Sequence, residues 1–192
     1  MHERMITGPV KKISHLRLKH RNCLAFPYDG LPILRVMRTN RCATSADAGL
    51  IASHRYAMFA EMGKSESSTL DEMRRNFVPW VERMLAAGKY VGWIVLDGER
   101  PVASAGFFEL EWPPHPWDPA SEHRGYLLNF WVEPEYRRQG LARSLVREAL
   151  AEARRRKLRV VSLQASDAGR PVYESMGFRV SNEMIWLDNS AG

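Results

Sequence analysis

A buried strand that passes through a short basic loop into a long amphipathic helix is the feature that most restricts how this chain folds. Residues 126–132 are apolar throughout except for Asn129. A run of this kind fits a central strand covered on both faces. After the loop, Leu141, Ala142, Leu145, Val146, Ala149, Leu150 and Ala153 make the single apolar stripe of a helix over residues 141–157. Arg154, Arg155, Arg156 and Lys157 fall in its last turn. Cations there complement the helix dipole, which accounts for the basic run better than a nucleic-acid patch does.

The rest of the chain alternates in the same way and predicts an α/β fold. Residues 33–37 read as a short first strand. Thr44 or Ser45 caps a helix running to Met62, with Ala48, Ile51, Ala52 and Met58 inward. Thr69 or Asp71 opens a second helix that ends near Gly88. Residues 90–96 and 102–110 form two strands joined at the hairpin signal Asp97-Gly98. Gly106, inside the second strand, marks a bulge or a close backbone approach. Four prolines between Pro113 and Pro119 make that stretch a long loop. Beyond the long helix, residues 159–163 are a strand, 171–176 a short helix stopped by Gly177, and 178–187 a last strand.

The length of 192 residues suits one domain, expected over 35–192. The net charge of +6 sits entirely at the front: residues 1–40 hold eight Lys/Arg against Glu3 and Asp29, and the remainder is balanced. Residues 1–34 are therefore expected to be a basic, poorly ordered extension. A solvated arm is favoured over a nucleic-acid or lipid contact. Cys23 and Cys42 form no CxxC, zinc spacing or disulfide framework, which fits a reducing, cytoplasmic setting. No apolar run is long enough to span a membrane, and the isolated His and Cys positions suggest no metal site.

The loop between strand and helix carries the chemistry. Arg137-Arg138-Gln139-Gly140-Leu141-Ala142-Arg143-Ser144 places three arginines and a glycine at a helix start. Free N–H groups and the helix dipole bind phosphate at such a place. Gly140 allows close approach or positive φ, and the small Ala142 leaves room above it. Neither nucleotide motif, GxGxxG or GxxxxGK[ST], is present. On its own the loop reads equally well as an ordinary connection with surface arginines.

The segment 137–142 resembles the pyrophosphate signature [Q/R]-x-x-G-x-[G/A] of the GNAT (GCN5-related N-acetyltransferase) superfamily. About thirty residues on, the stretch from Ala165 to Phe178, with Tyr173 and the closing Gly177-Phe178, resembles that family's second hallmark. The resemblance spans residues 36–187. It implies a mixed, mostly antiparallel sheet of six or seven strands flanked by helices. It implies acetyl-CoA as co-substrate, with direct attack by a primary amine on the thioester. The arm of the cofactor would lie along Phe130, Trp131 and Val132, beside a splayed neighbouring strand. Backbone N–H groups from Arg138 to Arg143, within the stretch from Arg137 to Ser144, would hold the pyrophosphate. One strand N–H near Phe130 or Trp131 could stabilise an oxyanion.

Tyr173 is the expected general acid, the alternative being a tyrosine that packs the short helix on the sheet. Ser166 either bonds to the cofactor arm or caps the next helix. Glu109, Glu111, Glu122 and Glu133 are candidate bases, each with solvation as its ordinary reading. Asn129 could orient substrate or water. Trp112 and Trp117, with Phe107 or Phe108, make either an acceptor wall or a hydrophobic plug. His115 and His123 read as exposed loop residues. The acceptor stays open among protein N-termini, lysines, polyamines, amino acids and aminoglycoside-like drugs. A non-catalytic acyl-CoA sensor of the same fold is the competing reading. Many proteins of this fold dimerise, though the sequence shows no interface.

Overall fold

The computed structural model describes residues 38–63 and 65–186. Five strands form one sheet in the order β1-β2-β3-β4-β5. They are β1 (Arg38–Cys42), β2 (Tyr90–Asp97), β3 (Arg100–Glu111), β4 (His123–Val132) and β5 (Val161–Leu163). Four helices accompany them: α1 (Ala48–Met62), α2 (Ser67–Ala86), α3 (Leu141–Arg155) and α4 (Arg170–Glu174). The first four strands are antiparallel, and β5 runs parallel to β4.

The expected strand at 33–37 lies outside the described residues. The edge strand that is seen, Arg-Thr-Asn-Arg-Cys, pairs Arg38 with Asp97 and Cys42 with Trp93. Its polar composition hid it from a reading based on apolar runs, yet charged side chains are what protects an exposed sheet edge. Arg41 forks onto Asp47 at 2.7 and 2.8 Å, and Asp47 also accepts from the Thr44 N–H at 2.8 Å. This fixes the chain where it turns into α1.

The helices cover the two faces of the sheet. Ala48, Ile51 and Ala52 of α1 and Phe77 and Val81 of α2 bury Tyr90 on one side. Leu141, Leu145, Ala149 and Ala153 of α3 cover Val95, Val102, Phe107 and Leu127 on the other. The predicted stripe of α3 is thus its buried face. The segment 178–186, expected as a closing strand, makes no ladder. Val180, Met184, Ile185 and Trp186 remain exposed. Its β-formers have no strand beside them among the described residues, and propensity without a partner does not make a strand. The sheet accordingly has five strands there rather than six or seven.

Gly106 explains itself in the packing. A Cβ at this position would lie 2.0 Å from the Tyr90 hydroxyl, and Tyr90 is 2% exposed. Close approach, not a bulge at Gly106 itself, is the reason for the glycine. We expect Gly106→Ala to lower stability by about 1–3 kcal/mol through overpacking. Urea unfolding of the variant would show this as a lower midpoint with an unchanged slope.

Candidate active site

Two local features of β4 shape the site. First, β4 and β5 are paired only from Gly125↔Val161 to Leu127↔Leu163, while β4 runs on to Val132. The strands therefore part after Leu127 and leave a wedge. Second, the β3–β4 register slips between Ser104↔Trp131 and Gly106↔Leu128. Ala105 thus faces two residues, Asn129 and Phe130, so the bulge is in β4. Asn129 takes φ 57° there, a value that Asn tolerates better than most residues.

The wedge is a cleft of about 90 Å³ lined by Phe130, Val132, Ala142, Ser166, Gly169, Val172 and Tyr173. Four elements meet in it: the end of β4, the first turn of α3, the loop after β5, and α4. Tyr173 stands edge-on to Phe130 and Phe178, with ring centroids 5.9 and 5.8 Å away. Burial in this apolar setting pushes its phenol up to about 12, so it keeps its proton across the neutral range. Tyr173 packs α4 and also lines the cleft. Ser166 lines the cleft as well; its Oγ accepts from the Gly169 N–H at 3.1 Å, and its own proton is free to donate.

At one end of the cleft the loop delivers α3. Arg138 has φ 60° and Gly140, the N-cap residue, has φ 83° with no side-chain cap. The backbone ladder starts with Ser144 N–H donating to Gly140 C=O at 3.0 Å. The N–H groups of Leu141, Ala142 and Arg143 precede that first bond and have no intrahelical acceptor. A Cβ on Gly140 would meet nothing within 4 Å, so the space above the helix start is open. Arg138 is exposed and makes no ion pair among the described residues.

The neighbouring side chains have other partners. Arg137 forks onto Glu61 of α1 at 2.6 and 2.8 Å, and its Nε donates to Val132 C=O at 3.0 Å. It ties the loop to α1. Gln139 accepts from Arg38 and donates to Glu135 C=O. Arg143 donates to Ser175, just past the end of α4, at 3.0 Å. Leu141 is 1% exposed and belongs to the core. For Arg137, Gln139 and Leu141, only the backbone faces the site. Trp131 is not among the residues that line the cleft; its Nε1–H donates to Glu133 at 3.1 Å.

Other candidates are placed elsewhere. Glu109 pairs with Arg156 just past the C-terminal end of α3. That is about 22 Å along a fifteen-residue helix from its N-terminal end, which borders the cleft. Glu109 is thus ion-paired and is not among the residues that line the cleft. Glu111 and Glu122 flank the long loop at the start of β4, about 23 Å along the strand from Phe130. Trp112 lies under the Arg124 guanidinium, 3.3 Å from ring centroid to carbon, and Trp117 stacks on His115. They line a separate hollow with Val160. Phe107 is core, and Phe108 packs on Trp80. The tryptophans brace the loop and do not wall the cleft.

Three residues near the site escaped the sequence reading. Arg55 Nη1 donates to Asn129 Oδ1 at 2.7 Å, and Asn129 Nδ2 donates to the Tyr90 hydroxyl at 3.0 Å. His54 Nδ1 lies 2.8 Å from Ser104 Oγ, and its Nε2 lies 3.7 Å from Glu133. One signal was available. Arg55 is four residues after Ile51 and seven after Ala48, on the inward stripe of α1, where a charge is out of place.

The family model for the acetyltransferase (GNAT) family matches residues 56–178. The chain belongs to this family. Its structure is similar to that of a GCN5-related N-acetyltransferase from Ralstonia eutropha JMP134, with 36% identity and a TM-score of 0.75. The match covers 79% of this chain and 98% of that one. It is also similar to a predicted acetyltransferase from Clostridium acetobutylicum solved with acetyl-CoA, at 26% identity and TM-score 0.73, covering 79% and 96% of the two chains. An aminoglycoside acetyltransferase from an uncultured soil metagenomic sample, 16% identical with TM-score 0.58 over 79% and 97% of the two chains, shares the fold. No curated protein matches the sequence. Among the described residues of this GNAT chain no helix is long and apolar enough to cross a membrane.

His54 gives the GNAT fold a pH dependence of its own. Burial lowers its pKa below the usual histidine value, against an opposing pull from Glu133. The unfolded chain takes up a proton near pH 6.5 that the folded chain still refuses. Stability is therefore full above about pH 6.5 and falls as pH drops toward the folded value. Melting temperatures from pH 7.5 to 5 should show this fall in the wild type and a flatter slope in His54→Gln.

Proposed function

We propose that the protein transfers an acetyl group from acetyl-CoA to a primary amine. The observation that carries this is the cleft itself. It opens where β5 leaves β4, has uncapped N–H groups of α3 at one end and holds a protonated Tyr173 in its wall. The acetyl-CoA in the similar Clostridium acetobutylicum structure supports the same reading. The pyrophosphate would rest on the N–H groups of residues 138–143, with Arg138 adding charge. The pantetheine arm would lie against Phe130, Val132 and Ala142, within reach of the Ser166 hydroxyl.

The amine nitrogen attacks the thioester carbon, and an N–H of the bulge at Phe130 or Trp131 meets the oxyanion. The C–S bond then breaks and the thiolate takes the Tyr173 proton. A free thiol has a pKa of about 8.5, well below the tyrosine's, but the desolvation that raises the phenol raises the departing thiol too. Tyr173 is reprotonated from solvent. No carboxylate is among the described residues that line the cleft, so the amine passes its proton to water. Titration calorimetry with acetyl-CoA, followed by thiol release in the presence of amines, tests the proposal. Stoichiometric binding and amine-dependent thiol release are expected; a folded protein that binds no acetyl-CoA overturns it.

A further inference from the structure

Arg55 is a half-buried cation with no anion beside it among the described residues. Its guanidinium carbon sits 4.8 Å from the centroid of Phe59 and 4.9 Å from that of Phe77. Desolvation lowers its pKa, yet an arginine keeps its charge in any such setting. The other arginines that anchor this fold are paired: Arg41 with Asp47, Arg100 with Glu135, Arg137 with Glu61, and Arg156 with Glu109 and Glu152. Among the described residues no carboxylate meets Arg55, and its Nε is buried with no partner. Its one hydrogen bond is from Nη1 to the neutral amide of Asn129. Burying a charge this way is costly unless something repays it.

Its position says what would repay it. Asn129 is the bulged residue of β4, and the next residue, Phe130, lines the cofactor cleft. Arg55 approaches that bulge from the α1 face, opposite α3. The phenols of Tyr90 and Tyr126 lie near enough to act on it electrostatically. Nε is sealed from solvent, so Nη2, which makes no hydrogen bond among the described residues, is the donor left to a ligand carboxylate. A desolvated positive charge at this point also repels polycationic acceptors.

We infer that the acceptor is a small primary amine bearing a carboxylate, an amino acid or close relative, and that Arg55 selects it. The inference rests on the acetyltransferase reading of the same site and narrows its substrate class. Arg55 is a specificity-determining residue in this scheme; it takes no part in bond breaking.

The test is a thiol-release panel with acetyl-CoA. The standard L-amino acids and β-alanine are each run beside their carboxamides, with spermidine and kanamycin as cationic acceptors. The wild type should favour carboxylated members by about 100-fold in kcat/KM. Arg55→Gln should bring that ratio to within about tenfold, with acetyl-CoA affinity unchanged in calorimetry. Arg55→Lys, which keeps the charge and loses the fork, should fall between. Equal or better turnover of carboxamides or of the polycations overturns the inference. So does a wild type that binds acetyl-CoA but turns over no carboxylated amine. Failure to bind acetyl-CoA is a separate result, read without any acceptor, and would defeat the acetyltransferase reading itself.

Discussion

Gly140→Asp should weaken acetyl-CoA binding by about 100-fold or more, the largest loss expected from one substitution here. Two effects add. At φ 83° a side chain strains the backbone by about 1–2 kcal/mol, which tilts the N–H groups that follow. The carboxylate would then stand in the open space above the helix start, where the pyrophosphate is expected. Like charges about 4 Å apart near a protein surface repel by about 4 kcal/mol, and each 1.4 kcal/mol is a factor of ten. Gly140→Ala isolates the backbone strain and should lose no more than about tenfold. Calorimetry on both variants, with circular dichroism to confirm folding, reads the two terms. Unchanged affinity in Gly140→Asp would remove the phosphate from this loop.

The second large effect is on turnover. Tyr173→Phe should lower kcat by about 10²–10⁴, the usual range for a lost general acid, and leave acetyl-CoA affinity within a few-fold. A phenol that only packs α4 would leave kcat near the wild-type value, since Phe preserves the edge-on contacts with Phe130 and Phe178. The pH profile makes the assignment sharper. With Tyr173 held up to about 12, the wild-type kcat/KM should rise with pH as the acceptor amine deprotonates. It should not fall again below pH 10. A descending limb near pH 8 or 9 would assign the proton donor elsewhere.

The parts of this molecule that a linear reading found are those with a local cause. The α3 stripe, the Asp97-Gly98 turn, the Gly177 stop and the positive-φ Gly140 before α3 each follow from a few adjacent residues. So did the cleft-facing set Phe130, Val132, Ala142, Ser166 and Tyr173, which comes from two motifs that fold toward each other. What escaped depended on contacts between distant segments. The pairing of Arg137 with Glu61 of α1 has no local cue in the sequence. Glu109 looked available until the end of α3 brought Arg156. Gly106 signals either a bulge or a close backbone approach; the close approach is what is found there, and the bulge lies at Asn129 on the facing strand. Arg55 was passed over because an inward charge within an apolar stripe has meaning only once its neighbours are known.

A crystal structure with acetyl-CoA bound tests the central claim most directly. The account predicts the pyrophosphate on the backbone N–H groups of residues 138–143 and the thioester arm between Phe130, Val132 and Tyr173. The sulfur should lie within hydrogen-bond reach of the Tyr173 hydroxyl. Cofactor density away from this cleft, or a thioester out of reach of Tyr173, would contradict it.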